Sequence, residues 1–387
     1  MQKKQILIIG IAGVALVGGL TAYFLSCKPK LTIISTQARM GELEPCGCQQ
    51  ANNQLGGVAR EANVLKKWGL GKNSLFLSPG QLFLPETFIE YDKKEDHYSQ
   101  KASFVVKAMN QLGVQAASIS AEDTALGLKR LQELAAEAQF PILSANLLVK
   151  ATKQPILKTH EIFKFGENYT VAVTAVSQRS KIGMSAGKEV EIQDPVEALR
   201  PLMDETFKGA NLIVVLSDLS DNARNTLVTE YPQINLVLGG QGRVGNHRAF
   251  QTSKTSMHLN TSVKGRQMVR IEVEMGAPQQ PFFNKEFANF IREEKKWRNE
   301  RIAALREKIK AAEVKDKAAL EFGADKLGFE VADLEAIPVE KEAASLRYSS
   351  EVIDLDATWD KPENSLAQIV TDFKKTVHDI AVREAGH

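Results

Sequence analysis

Residues 31–60 read LTIISTQARMGELEPCGCQQANNQLGGVAR, and the order of elements in this stretch decides the fold. Leu31 to Thr36 is an apolar, β-branched run of strand length. A loop through Gly41-Glu42-Leu43-Glu44-Pro45 follows, and Gly56-Gly57-Val58-Ala59-Arg60 opens an amphipathic stretch that predicts a helix over 55–67. A strand, a long loop and a helix form one unit of an α/β domain, in which functional groups gather where strands end.

The same alternation continues outward. Strands are predicted at 74–78, 116–119, 142–144, 169–176, 211–217, 236–238 and 268–274, with helices at 99–112, 124–138 and 222–230 between them. The expected class is α/β, with a central β-sandwich flanked by helices over residues 28–276. After Gly276-Ala277-Pro278 the character changes. Residues 283–314 form a charged helix with Phe287, Ile291, Ile302, Leu305 and Ile309 as an apolar stripe and Trp297 off that line. Further helices at 315–326 and 330–336 are separated by breaks at Gly323 and Gly328, so 277–345 reads as a helical hairpin or short coiled coil. Such a stripe either packs on its own neighbour or offers a seam to a protein partner. A strand at 348–355 and a helix at 365–383 close the chain within a last segment, 346–387.

The succession from Leu31 to Arg60 resembles the start of the periplasmic 5′-nucleotidase branch of the calcineurin-like metallophosphatases: a strand, a metal-ligand loop, then a Gly-Gly-x-x-Arg helix start. Later segments keep that order. Ser74 to Gln81 resembles the strand ending in Gly-Asp, and Ser120 to Leu128 resembles the Gly-Asn-His-Glu loop. Phe140 to Asn146 is similar to the next strand, Leu212 to Asp218 to the strand ending in Leu-Ser-His, and Leu236 to Arg243 to the strand carrying Gly-His-x-His. The resemblance covers residues 31–273 and implies the metallophosphatase fold.

It also implies a dinuclear metal site whose ligands are nearly all replaced. The Asp-x-His positions hold Ala38 and Met40, the bridging Asp position holds Gln81, and the Asn-His pair is Ala121 and Glu122. The third loop offers Asp218, and the Gly-His-x-His positions hold Gln241 and Arg243. Ala and Met do not ligate a hard or borderline dication, and Arg243 adds positive charge where metals would sit. Two carboxylates, Glu122 and Asp218, are too few for a two-metal clamp. The expectation is therefore no catalytic residue, no bound metal and no cofactor. His247 and His258 follow the last loop and could face it. Gly239 to Arg243 lacks the spacing of a nucleotide-binding glycine loop. Arg243, with Arg39 from the first loop, reads either as an anion-binding remnant or as ordinary surface charge.

Composition bounds the remaining choices. The chain is 43% hydrophobic and 25% charged with a net charge of +2, so nothing recommends nucleic acid as a partner. Residues 1–27 combine a basic Met1-Gln2-Lys3-Lys4 with an uncharged run from Ile6 to Leu25, ending in Phe24-Leu25-Ser26-Cys27. That pattern fits lipid attachment at Cys27, an uncleaved anchor, or a secretory signal, and each places the body outside the cytoplasm, in the periplasm or on the outer membrane. Cys46 and Cys48 are the other two cysteines, in a Glu-Pro-Cys-Gly-Cys string that resembles a subgroup of exported metallophosphatase-like proteins. They read as a disulfide, as a redox or metal-binding thiol pair, or as free thiols. The functional expectation is a non-catalytic envelope protein that binds or scaffolds, tethered through its amino terminus and meeting a protein partner through the helical region. The alternative is a metal-dependent phosphoesterase with an altered site around Glu122 and Asp218.

Overall fold

The computed structural model describes residues 29–45, 54–85, 95–178, 189–240, 250–251, 255–278, 280–311, 314–336, 346–361 and 365–385. The expected amino-terminal anchor with Cys27, the expected Cys46–Cys48 pair, and Gln241, Arg243 and His247 lie outside these residues. Among the described residues, no helix is long and apolar enough to cross a membrane.

In chain order the strands are β1 (Lys30–Ser35), β2 (Ser74–Ser78), β3 (Ala116–Ser118), β4 (Ile142–Leu143), β5 (Leu147–Val149), β6 (His160–Phe165), β7 (Tyr169–Val176) and β8 (Val190–Ile192). There follow β9 (Leu212–Ser217), β10 (Leu236–Leu238), β11 (Phe250–Gln251), β12 (Met257–Leu259), β13 (Gln267–Glu274), β14 (Phe282–Asn284) and β15 (Leu346–Asp354). The helices are α1 (Val58–Trp68), α2 (Glu95–Leu112), α3 (Leu128–Glu137), α4 (Pro195–Pro201), α5 (Asp221–Glu230), α6 (Lys285–Ala311), α7 (Val314–Ala336) and α8 (Ser365–Ala385).

Two sheets carry the body, one of seven strands in the order β14-β15-β13-β1-β2-β3-β4 and one of six in the order β11-β12-β10-β9-β7-β6. The strands β1 to β4 are mutually parallel, as are β7, β9, β10 and β12. Their carboxyl ends therefore fall along common edges. Alternation along each strand assigns the faces. Ile33, Leu75, Val214 and Leu216 meet between the sheets, whereas Ile34 and Phe76 face a second core with Val64, Val105, Leu134 and Phe373 from the helices. Val215 and Val237 face a third core with Leu199 and Leu227. Because central strands are buried on both faces they read as continuous apolar runs, which is why they were legible.

Most predicted strands fall within a residue or two of their observed bounds. The edge strand β6 escaped prediction because its His160-Glu161-Ile162-Phe163-Lys164-Phe165 sequence is only half buried and mixes charge into the apolar pattern. The breaks expected at Gly323 and Gly328 are absent, since α7 runs unbroken through both. A mid-helix glycine costs about 1 kcal/mol relative to alanine. Packing against α6 offsets this, with Ala324 buried and the Arg298 guanidinium 3.0 Å from Glu330 across the hairpin.

The segment after the hairpin completes the main body. β15 lies between β13 and β14, and Leu355, Leu366 and Phe373 enter the core beneath α2. Arg60, from the Gly-Gly-x-x-Arg helix start, donates to both carboxylate oxygens of Asp360 at 2.8 and 2.9 Å and to Leu355 O at 2.9 Å, tying α1 to the chain end.

Candidate functional site at the strand ends

The loop after β1 keeps a shaped backbone. Ala38 N donates to Pro79 O (2.8 Å), Met40 N to Gln81 O (3.2 Å) and Gly41 N to Leu82 O (2.9 Å), stitching it to the loop after β2. Lys264 N donates to Ala38 O at 2.7 Å from the other side. These bonds hold Ala38 and Met40 in the left-handed region, with φ of 37° and 53°. Side-chain-bearing residues rarely adopt that conformation, and such strain clusters at sites where the backbone has been shaped for a task. Ala38 and Met40 are buried there with Val263 in a small apolar cluster.

Arg39 corrects an expectation. It is neither a surface arginine nor free for an anion, because its side chain is 1% exposed and its Nη2 lies 2.7 and 2.6 Å from the carboxylate oxygens of Glu61 on α1. Burial raises the Glu61 pKa, against the lowering effect of the Arg39 charge and hydrogen bond.

The second and third loops are locked together by Asp123, a residue that sequence reasoning passed over. Its carboxylate accepts from Leu82 N and Phe83 N at 2.8 Å and from Leu84 N and Ser120 N at 3.0 Å. Burial still pushes its pKa up to about 6 against those four donors. Gln81 directs its amide nitrogen to Leu84 O (2.7 Å) and Pro85 O (3.0 Å). Ala121 is buried, and its N–H donates to Ser177 Oγ at 2.7 Å.

On the second sheet, the half-buried Asp218 accepts from Gln178 N at 2.7 Å and Ser177 Oγ at 3.0 Å. Its pKa is pushed up to about 8, first by burial, then by the neighbouring Glu122 charge, with a smaller contribution from Asp123. Gln37 bridges the sheets, donating to Gly240 O and accepting from Thr261 N, each at 2.8 Å. Gly239 turns the chain with φ of 89°, and a Cβ there would stand 2.3 Å from Ser217 O. His258 is buried with Nε2 3.2 Å from Gly239 O, and its pKa is pushed down to about 3 by burial and by the Arg224 charge.

The fold thus gathers Ala38, Met40, Gln81, Ala121, Glu122 and Asp218 along one edge, in the order the resemblance implies. Asp123 had one signal in the sequence, an acid directly following Glu122 in the same loop. Gln37 and Ser177 had none. The residues present do not fit a dinuclear metal centre. Three of the six positions carry apolar side chains, and Gln81 spends its amide nitrogen on carbonyls. Among the described residues, no three His, Cys, Asp or Glu side chains stand together as a metal-binding group.

No family model matches the sequence. The 2′,3′-cyclic-nucleotide 2′-phosphodiesterase/3′-nucleotidase of Haemophilus influenzae is 22% identical over 235 residues, covering 54% of this chain and 35% of that protein. The chain thus spans about a third of that relative's length. Among solved structures, the calcineurin-like phosphoesterase YfkN from Bacillus subtilis matches with a TM-score of 0.59 at 14% identity, over 92% of this chain and 99% of that one. The 5′-nucleotidase precursor from Thermus thermophilus matches with a TM-score of 0.58 at 17% identity, over 91% of this chain and 59% of that one. With the two-sheet architecture and the ordered strand-end loops, these likenesses give the chain the calcineurin-like phosphoesterase fold in its 5′-nucleotidase-like form.

Proposed function

We propose that the chain is a non-catalytic protein of this fold that works outside the cytoplasm, is held at a membrane through residues 1–27, and acts by presenting surfaces to another protein. The observation that carries this reading is the Ala38–Met40–Val263 cluster, which fills with apolar side chains the loop where the resemblance implies metal ligands. The helical hairpin is the surface favoured for the partner, because Trp297, Phe322 and Phe329 stand exposed on it.

Metal analysis of the purified protein, combined with assays of a general phosphoester and of nucleotides in the presence of Mn, Zn or Mg, tests the first half. The expected result is no stoichiometric metal and no turnover above buffer. A second reading rests on the two carboxylates left at the site, Glu122 and Asp218, the first of which raises the pKa of the second. Metal-dependent turnover abolished by Asp218→Ala would establish that altered-site hydrolase and remove the non-catalytic reading.

A further inference from the structure

Residues 319–332 of α7 read ALEFGADKLGFEVA, which is nearly its own mirror image about a centre between Asp325 and Lys326. Ala319 mirrors Ala332, Glu321 mirrors Glu330, Phe322 mirrors Phe329 and Gly323 mirrors Gly328. Leu320 faces Val331 and Ala324 faces Leu327, apolar in each case. Only the central pair differs in kind, and it differs in sign.

The structure puts this pattern on a surface. Phe322 and Phe329 are each 73% exposed, and Asp325 and Lys326 between them are exposed as well. A spacing of seven residues sets both rings on one line of the helix. The opposite face is occupied, since Ala324 is buried toward α6 and a Cβ on Gly323 would stand 3.7 Å from Leu305 Cδ1. Two large apolar rings at this exposure cost solubility unless something covers them.

We propose that α7 pairs antiparallel with α7 of a second copy of this chain, about a two-fold axis through the Asp325–Lys326 centre. An isologous contact requires a patch complementary to itself, and a helix palindrome supplies it. Phe322 of each copy meets Phe329 of the other. Asp325 and Lys326 of one copy come level with Lys326 and Asp325 of the other, so four central charges sum to zero and each lysine stem reaches a carboxylate. Glu330 adds no repulsion, because Arg298 holds its carboxylate at 3.0 Å within the same hairpin. This deepens the reading of the hairpin as the interaction surface by naming its partner, and it is independent of whether the strand-end site has activity.

The test uses the full chain and two charge variants, followed by sedimentation across the micromolar range. Wild type is expected to dimerise. Asp325→Lys leaves four lysines at the centre and Lys326→Asp leaves four aspartates, so each alone should dimerise at least about tenfold more weakly. Mixing the two variants should restore pairing as a heterodimer, because the four-lysine and four-aspartate clashes are then replaced by two lysines facing two aspartates at this centre. Phe322→Ser combined with Phe329→Ser should abolish dimerisation, and helix content by circular dichroism should stay unchanged because the altered side chains are exposed. A wild type monomeric throughout, a dimer indifferent to the Phe changes, or variants that do not rescue each other would each overturn the proposal. None of these results bears on the metal and turnover assays, so the two readings fail separately.

Discussion

Arg39 and Glu61 form an ion pair sealed from solvent, with Arg39 Nη2 2.7 and 2.6 Å from the two carboxylate oxygens and side chains 1% and 0% exposed. The pair joins the loop after β1 to α1. Removing one partner strands a buried charge, whereas removing both need not. Arg39→Met should destabilise the protein by about 3–5 kcal/mol in urea unfolding. The double variant Arg39→Met, Glu61→Leu should recover most of that loss. Equal losses in both variants would mean that Arg39 matters for packing alone.

Asp218 gives stability a pH dependence whose sign is fixed. Its carboxyl moves from 3.8 to about 8 on folding, so between those values the folded chain holds the proton that the unfolded chain has lost. Stability from this group is therefore full below about pH 4 and is lost as pH rises toward 8. Asp218→Asn should flatten that fall and make the protein more stable than wild type at pH 9, by more than about 1 kcal/mol. Glu122→Gln should make the fall shallower and end it at a lower pH, because it removes the second cause of the raised value. Unfolding midpoints at pH 5, 7 and 9 decide both.

Asp123→Ala leaves four backbone N–H groups, those of Leu82, Phe83, Leu84 and Ser120, without their acceptor. A buried donor left unsatisfied costs about 1–3 kcal/mol. The variant should lose at least about 3 kcal/mol, and hydrogen exchange at residues 82–84 should accelerate more than in the core strands. Protection unchanged at those amides would show that water replaces the carboxylate without loss.

The hairpin and the chain end should respond differently to removal. Ala288, Ile291, Ile302 and Ala324 are buried but belong to none of the three sandwich cores. Replacing residues 285–336 with a short flexible linker should preserve a cooperative unfolding transition. Truncation after Glu274 removes β15 from inside the seven-stranded sheet and Leu355, Leu366 and Phe373 from its core, and should abolish folding. Proteolysis and thermal melts of the two products separate these outcomes.

Local pattern alone carried much of this protein. Runs such as Leu212 to Ser217 are buried on both faces and so are apolar throughout, and the order of strand-end loops followed from short strings such as Gly56-Gly57-Val58-Ala59-Arg60. The resemblance likewise assigned Ala38, Met40, Gln81 and Ala121 to ligand positions, an expectation stated from residue type alone. What only the tertiary structure decided were the pairings across long chain separations. Arg39 read as an anion-binding remnant or as surface charge until folding placed Glu61 against it, 22 residues away. Asp123 gained its role only when the loop after β2, 39 to 41 residues earlier, aimed its N–H groups at the carboxylate. Gln37 reaches Gly240 across 203 residues. Periodicity reports whether a residue is buried, since that depends on its own neighbours along the chain. It carries no information about which distant polar group shares the burial.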